Sequence, residues 1–122
     1  MHIICFCAQW CRLCSAYRAT FEAVASRHKA YRFAFVDIED EADLLASVDA
    51  PDITDFPTLL IADATGLRFH GPVTPHTETL ERIIRAAQTE SLSSIPLGLE
   101  SGALQVLLQG LAARHLYLAP GD

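Results

Sequence analysis

The sequence predicts an α/β fold, a three-layer sandwich in which a mixed β-sheet lies between helices. Three observations lead to it. Apolar runs of strand length alternate with amphipathic helical stretches through residues 1–88 of the 122. Their order is β-α-β-α-β-β-α, which places parallel strands first and an antiparallel hairpin last. The composition, 51% hydrophobic and 20% charged, is that of a globular domain.

Residues 3–8, Ile-Ile-Cys-Phe-Cys-Ala, form a nearly unbroken apolar run, the pattern of a strand buried on both faces. From Arg12 to His28 the period becomes helical. Leu13, Tyr17, Phe21, Val24 and His28 fall on one side, with Arg18, Glu22 and Arg27 on the other. Residues 32–38 read as a second buried strand. Residues 39–48 suit a short helix with acids in its first turn, where the helix dipole favours them. Pro51, Asp52, Thr54, Asp55 and Pro57 mark a loop. Residues 58–62 are a third strand, 63–66 turn the chain, and 67–70 return as a fourth strand that Gly71-Pro72 ends. Residues 77–87 form an amphipathic helix with Leu80, Ile83, Ile84 and Ala87 inward. A connector at 89–98 leads to a further helix lined by Leu104, Leu107, Leu108 and Leu111, and residues 115–119 read as a strand.

The net charge of −6 and thinly spread basic residues exclude a phosphate-binding surface, so no nucleic acid is expected as a partner. No apolar run approaches the roughly 18 residues needed to span a bilayer. The apolar start of the chain is short for a signal peptide and lacks a basic leader. These features predict a cytoplasmic protein with no membrane association.

All four cysteines, at positions 5, 7, 11 and 14, fall in the first fifteen residues. A secreted disulfide scaffold would spread them to join distant segments, so chemistry is the better reading. Two residues separate Cys11 from Cys14, which places them about one helical turn apart and close enough to bridge. A strand ending near Ala8 and a helix beginning near Cys11 set the first thiol at a helix N-terminus. There, unpaired N–H groups and the dipole favour a thiolate, as does the charge of Arg12. Cys14, deeper in the helix, is placed to resolve a mixed disulfide made by Cys11. The plainer alternative is a pair of inert thiols at a helix start. Cys5 and Cys7 read as small apolar strand residues. A metal site built from the four cysteines is disfavoured, because structural zinc sites draw paired ligands from separated knuckles. No metal is therefore expected. The five histidines are dispersed, and Asp37 and Asp63 read as ordinary strand-end acids.

Four segments together, Trp10-Cys11-x-x-Cys14, Val36-Asp37-Ile38, Phe56-Pro57-Thr58-Leu59-Leu60 and Gly71 before the last helix of the domain, resemble the thioredoxin superfamily. The likeness covers residues 3–88. It implies a thioredoxin-like sandwich and a redox-active Cys11–Cys14 disulfide as the working group, with no other cofactor. In that family the proline is cis and lies against the cysteine pair, and the residue before it offers backbone hydrogen bonds to a substrate peptide. Trp10, Phe56 and Pro57 are thus expected at the client surface, Trp10 as a partly exposed platform. The chain departs from the pattern at three places. Cys5 stands where thioredoxins carry a buried acid, and Phe35 where they carry a nearby lysine. Arg12-Leu13 stands where they carry Gly-Pro. Cys5, Arg12 and Leu13 are accordingly expected to modulate the pair. Third, the usual first βα unit is missing.

That last departure would leave the strand at 32–38 as an open sheet edge. The expectation is a thioredoxin-like domain at 1–88 and an extension at 89–122 packed on it. The helix near 100–114 covers the vacated face, and residues 115–119 pair with the edge; a homodimer contact is the rival role for this segment. The expected function is thiol–disulfide exchange with client proteins or small thiols, driven by a donor such as a thioredoxin reductase or glutathione. A redox-inactive binding module on the same fold is the alternative.

Overall fold

In the computed structural model of the chain, residues 1–8, 10–47, 56–63, 66–89 and 101–118 are described. The strands are β1 (His2–Cys7), β2 (Arg32–Asp37), β3 (Thr58–Asp63) and β4 (Gly66–Pro72), and the helices are α1 (Arg12–Arg27), α2 (Ala42–Ser47), α3 (Thr77–Gln88) and α4 (Ser101–Ala113). The loop expected before Phe56, the tip of the hairpin and the connector beyond Thr89 lie outside the described residues. The sheet order is β2-β1-β3-β4. β1 and β2 run parallel, and the β1–β3 and β3–β4 pairs are antiparallel, so the sheet is mixed as expected.

Alternation along the strands divides the core into two layers. Ile3, Cys5 and Cys7 of β1, with Phe33, Leu59 and Ile61, face α1 and α3. Ile4, Phe6, Ala34, Val36, Leu60 and Ala62 face the other way, toward α2 and α4. On α1 the inward residues are Cys14, Tyr17, Phe21 and Val24. Leu13, expected on that face, is 53% exposed instead. One residue's rotation about the helix gives its inward place to Cys14. Near its C-terminus α1 is tied to α3 by His28, whose Nε2 lies 3.0 Å from the Glu81 carboxylate.

The helix expected at 39–48 begins later, at Ala42. The Asp37 carboxylate accepts hydrogen bonds from the backbone N–H of Glu39 at 2.8 Å and of Asp40 at 3.1 Å. A side chain that captures local N–H groups in this way holds a turn and delays the helix.

α4 lies on the sheet face away from α1. Leu104, Leu107 and Leu111 are buried there, so the leucine stripe belongs to the chain's own core. Its close approach to α2 depends on Gly110, where an added Cβ would stand 2.5 Å from Leu44 Cδ1 and 3.1 Å from Cδ2. Gly110→Val is expected to lower stability by about 1–3 kcal/mol through overpacking, read as a reduced urea midpoint with unchanged slope.

The helix ends in a Schellman turn: Leu116 N–H bonds to the Leu111 carbonyl and His115 N–H to that of Ala112, with His115 at φ 58°. This reversal delivers Tyr117 to the open edge of β2. The expected strand at 115–119 is reduced to a single antiparallel bridge, Ala34 to Tyr117, with Leu118 N–H donating to the Phe33 carbonyl at 2.7 Å. Side chains complete the seal. Arg32 stacks 4.0 Å above the Tyr117 ring, and the Tyr117 hydroxyl meets His2 Nδ1 at 2.8 Å.

Partial burial holds two imidazoles below the ordinary value of 6.5: His2, with the N-terminal amine and Arg32 adding repulsion, and His70 on β4. As pH falls through about 6.5 the unfolded chain takes up these protons first, so it binds more protons than the folded one. Their contribution to stability is complete above that pH and is lost below it. The urea midpoint is expected to drop between pH 7.5 and 5.5, and to drop less in a His2→Gln/His70→Gln variant.

Candidate redox site

β1 delivers its last residue, Cys7, and the following Ala8 into the core. Cys11 N–H then bonds to the Ala8 carbonyl at 3.0 Å, which turns the chain into α1. Cys11 is the N-cap of that helix, with φ −89° and ψ 115°, and its carbonyl accepts from Ser15 N–H at 3.3 Å. Its side chain makes no cap hydrogen bond. The sulfur therefore stands at the helix end where first-turn N–H groups lack intrahelical partners, and it is half-buried with a free thiol.

Around Cys11 the surface is apolar and open. Trp10 is 67% exposed, and Leu13 lies exposed on the same turn beside the charged Arg12. The Trp10 indole meets the Phe56 ring edge-on at 5.5 Å, and its Nε1 donates to Glu39 Oε1 at 2.7 Å. Phe56 is half-buried and packs on the same core cluster as Cys11. It precedes a cis peptide bond to Pro57, which is buried at the start of β3. The structure thus gathers Trp10, Cys11, Leu13 and Phe56 around one end of α1.

Cys14 faces inward, and the structure joins it to Cys7, with Cα atoms 5.7 Å apart. The Cys11–Cys14 bond expected from the likeness is not the one present; Cys11 and Cys5 are the free cysteines. The reading of Cys7 as an inert packing residue is corrected. Odd-numbered residues of β1 share one face, α1 covers that face, and Cys14 is on its inward side.

Cys5 Sγ lies 3.7 Å from Cys7 Sγ. A disulfide sulfur has no proton to give, so Cys5 is the donor in this contact. Burial pushes the Cys5 thiol far above its usual range and keeps that proton in place. Burial, together with the neighbouring Cys5, also raises the pKa of Tyr17, whose hydroxyl has no hydrogen-bond partner among the described residues. On the side of the C-terminal segment, a cavity of about 410 Å³ reaches Cys7 and Cys14 between Arg18, Phe35, Asp37 and His115. Among the described residues no group of three or more His, Cys, Asp or Glu side chains is arranged to hold a metal, and no helix is long and apolar enough to cross a membrane.

A helix capped by one cysteine, with two residues between it and a second, set on a mixed sheet whose third strand follows a cis-proline, defines the thioredoxin class of folds. The family model named Thioredoxin matches residues 1–86, and the chain belongs to that family. Solved structures agree on the fold. Thioredoxin from Trypanosoma brucei brucei superposes with a TM-score of 0.58 at 20% identity, covering 72% of this chain and 74% of that one. Oxidised mitochondrial thioredoxin 3 from Saccharomyces cerevisiae gives 0.57 at 20% identity, covering 69% and 76%. A yeast structure concerned with thiol resolution in a mitochondrial 1-Cys peroxiredoxin through glutathione and thioredoxin systems gives 0.58 at 19%, covering 69% and 76%. No curated protein matches the chain in sequence.

Proposed function

We propose that the chain is a thiol–disulfide oxidoreductase in which Cys11 is the nucleophile and Cys14 the resolving thiol. The observation that carries this reading is the free Cys11 sulfur at the start of α1, ringed by exposed Trp10 and Leu13 and by Phe56. An extended client segment laid on that apolar rim would bring its disulfide to Cys11. The Cys11 thiolate attacks one client sulfur, the client S–S bond breaks, and the released client thiolate takes up a proton. Cys14, as thiolate, then attacks Cys11 Sγ; the mixed disulfide breaks and the second client thiol leaves. The client gains two electrons, and the chain is left with a disulfide.

Arg12 and Leu13, beside the nucleophile, would tune its reactivity and client choice. A small-thiol or reductase donor restores the dithiol, and in a reducing compartment such as the cytoplasm the net direction is client reduction. The redox pair is the only working group this chemistry needs. The name of the yeast peroxiredoxin structure supports oxidised thiol proteins as the client class.

The test is reduction of insulin by catalytic amounts of the chain with a recycling dithiol. Accelerated precipitation of insulin chains is expected. A correctly folded chain that gives no acceleration over the dithiol alone sinks the reading and leaves a binding module on the same fold.

A further inference from the structure

Three sulfurs, not two, belong to the exchange system. We infer that Cys7 is a second partner for Cys14: after client reduction the disulfide passes from Cys11–Cys14 to the buried Cys7–Cys14 pair, which frees Cys11 again. The inference builds on the reading of Cys11 as nucleophile. It accounts for an observation which that reading leaves unused, the Cys7–Cys14 bond itself.

The step is an exchange without net oxidation. The Cys7 thiolate attacks Cys14 Sγ, the Cys7–Cys14 bond forms as the Cys11–Cys14 bond breaks, and Cys11 leaves as a thiolate that accepts the proton Cys7 gave up. Sequence neighbours supply the reach. Cys14 lies one turn after Cys11 on α1, and its Cα is 5.7 Å from that of Cys7 on β1. Moving between two partners requires the Cys14 side chain to swing, which a tightly filled core would resist. The cavity of about 410 Å³ that borders both Cys7 and Cys14 gives it room. Cys5 is the positioning residue. Its thiol stays protonated and lies 3.7 Å from Cys7 Sγ, where it can donate to Cys7 both as the attacking thiolate and as the bonded sulfur.

The functional consequence is that the oxidised chain presents a nucleophile, not a disulfide, to the next molecule at the Trp10–Phe56 surface. Its oxidising equivalent is stored where clients on that surface do not touch it, with Cys7 and Cys14 only 2% and 3% exposed.

Cleavage after Arg12 and Arg18 isolates Cys14 on peptide 13–18, away from the other three cysteines, so the pairing can be read by mass spectrometry. The full-length chain is reduced, oxidised with a stoichiometric amount of diamide, and alkylated at intervals. In the natural sequence the alkyl label is expected to pass from Cys7 to Cys11 with time. Label that remains on Cys7 overturns the inference. In Cys11→Ser the 1–12 and 13–18 peptides should still emerge cross-linked, with Cys5 alone alkylated; an uncross-linked product in a folded variant also overturns it. Should that variant not fold, the time course in the natural sequence decides. The two readings fail separately. Insulin reduction with label fixed on Cys7 removes the relay alone, whereas label on Cys11 without insulin reduction removes only the client reaction.

Discussion

Cys11→Ser is expected to reduce insulin turnover to the rate of the recycling dithiol, a loss on the order of a thousandfold or more in the protein's own contribution, because the covalent route is closed. Cys14→Ser should behave differently. It keeps the nucleophile and loses the resolving thiol, so it should accumulate a mixed disulfide that survives non-reducing electrophoresis and dissolves on adding dithiol. The two phenotypes follow from position. Cys11 is half-buried at the helix start next to Trp10, whereas Cys14 faces the sheet and is buried. Equal loss in both variants with no trapped species would contradict the assignment of roles.

Removal of residues 99–122 is expected to leave an insoluble or molten protein. α4 is the cover over Ile4, Phe6, Ala34, Val36 and Leu60, and its Leu104, Leu107 and Leu111 are buried against them. At about 1.5–3 kcal/mol for each fully buried leucine, these three side chains are worth roughly 5–9 kcal/mol. That is comparable with the whole stability of a typical domain, about 5–15 kcal/mol. The truncation also uncovers the β2 edge, where Tyr117 and Leu118 now occupy backbone groups of Ala34 and Phe33. A milder form of the same test is Leu107→Ala, which should cost about 2–5 kcal/mol and lower the melting temperature without altering the redox pair. A soluble truncation with sharp, cooperative unfolding would show that α4 is dispensable.

Much of this architecture is written in short-range pattern. The strand at β1, the helix from Arg12 and the hairpin of β3 and β4 follow from apolar periodicity and from the turn residues between them. The C-terminal helix is legible as well, since four leucines on one side of a helix need a surface to cover. Its final segment is less so. Residues 115–118 have strand composition, yet the Schellman turn at His115 presents a single residue, Tyr117, to the edge, and one bridge replaces a strand. The late start of α2 likewise turns on where the Asp37 carboxylate points, which no periodicity encodes.

By itself the sequence determined the α/β sandwich and the place of Cys11 at a helix start. These depend on neighbours along the chain and on strong local preferences. Which sulfur bonds to Cys14 was decided only by tertiary structure. Pairing depends on the distance between a strand and the helix laid across it, and spacing along the chain favours Cys11 while the packing of α1 on β1 brings Cys7 to the same sulfur.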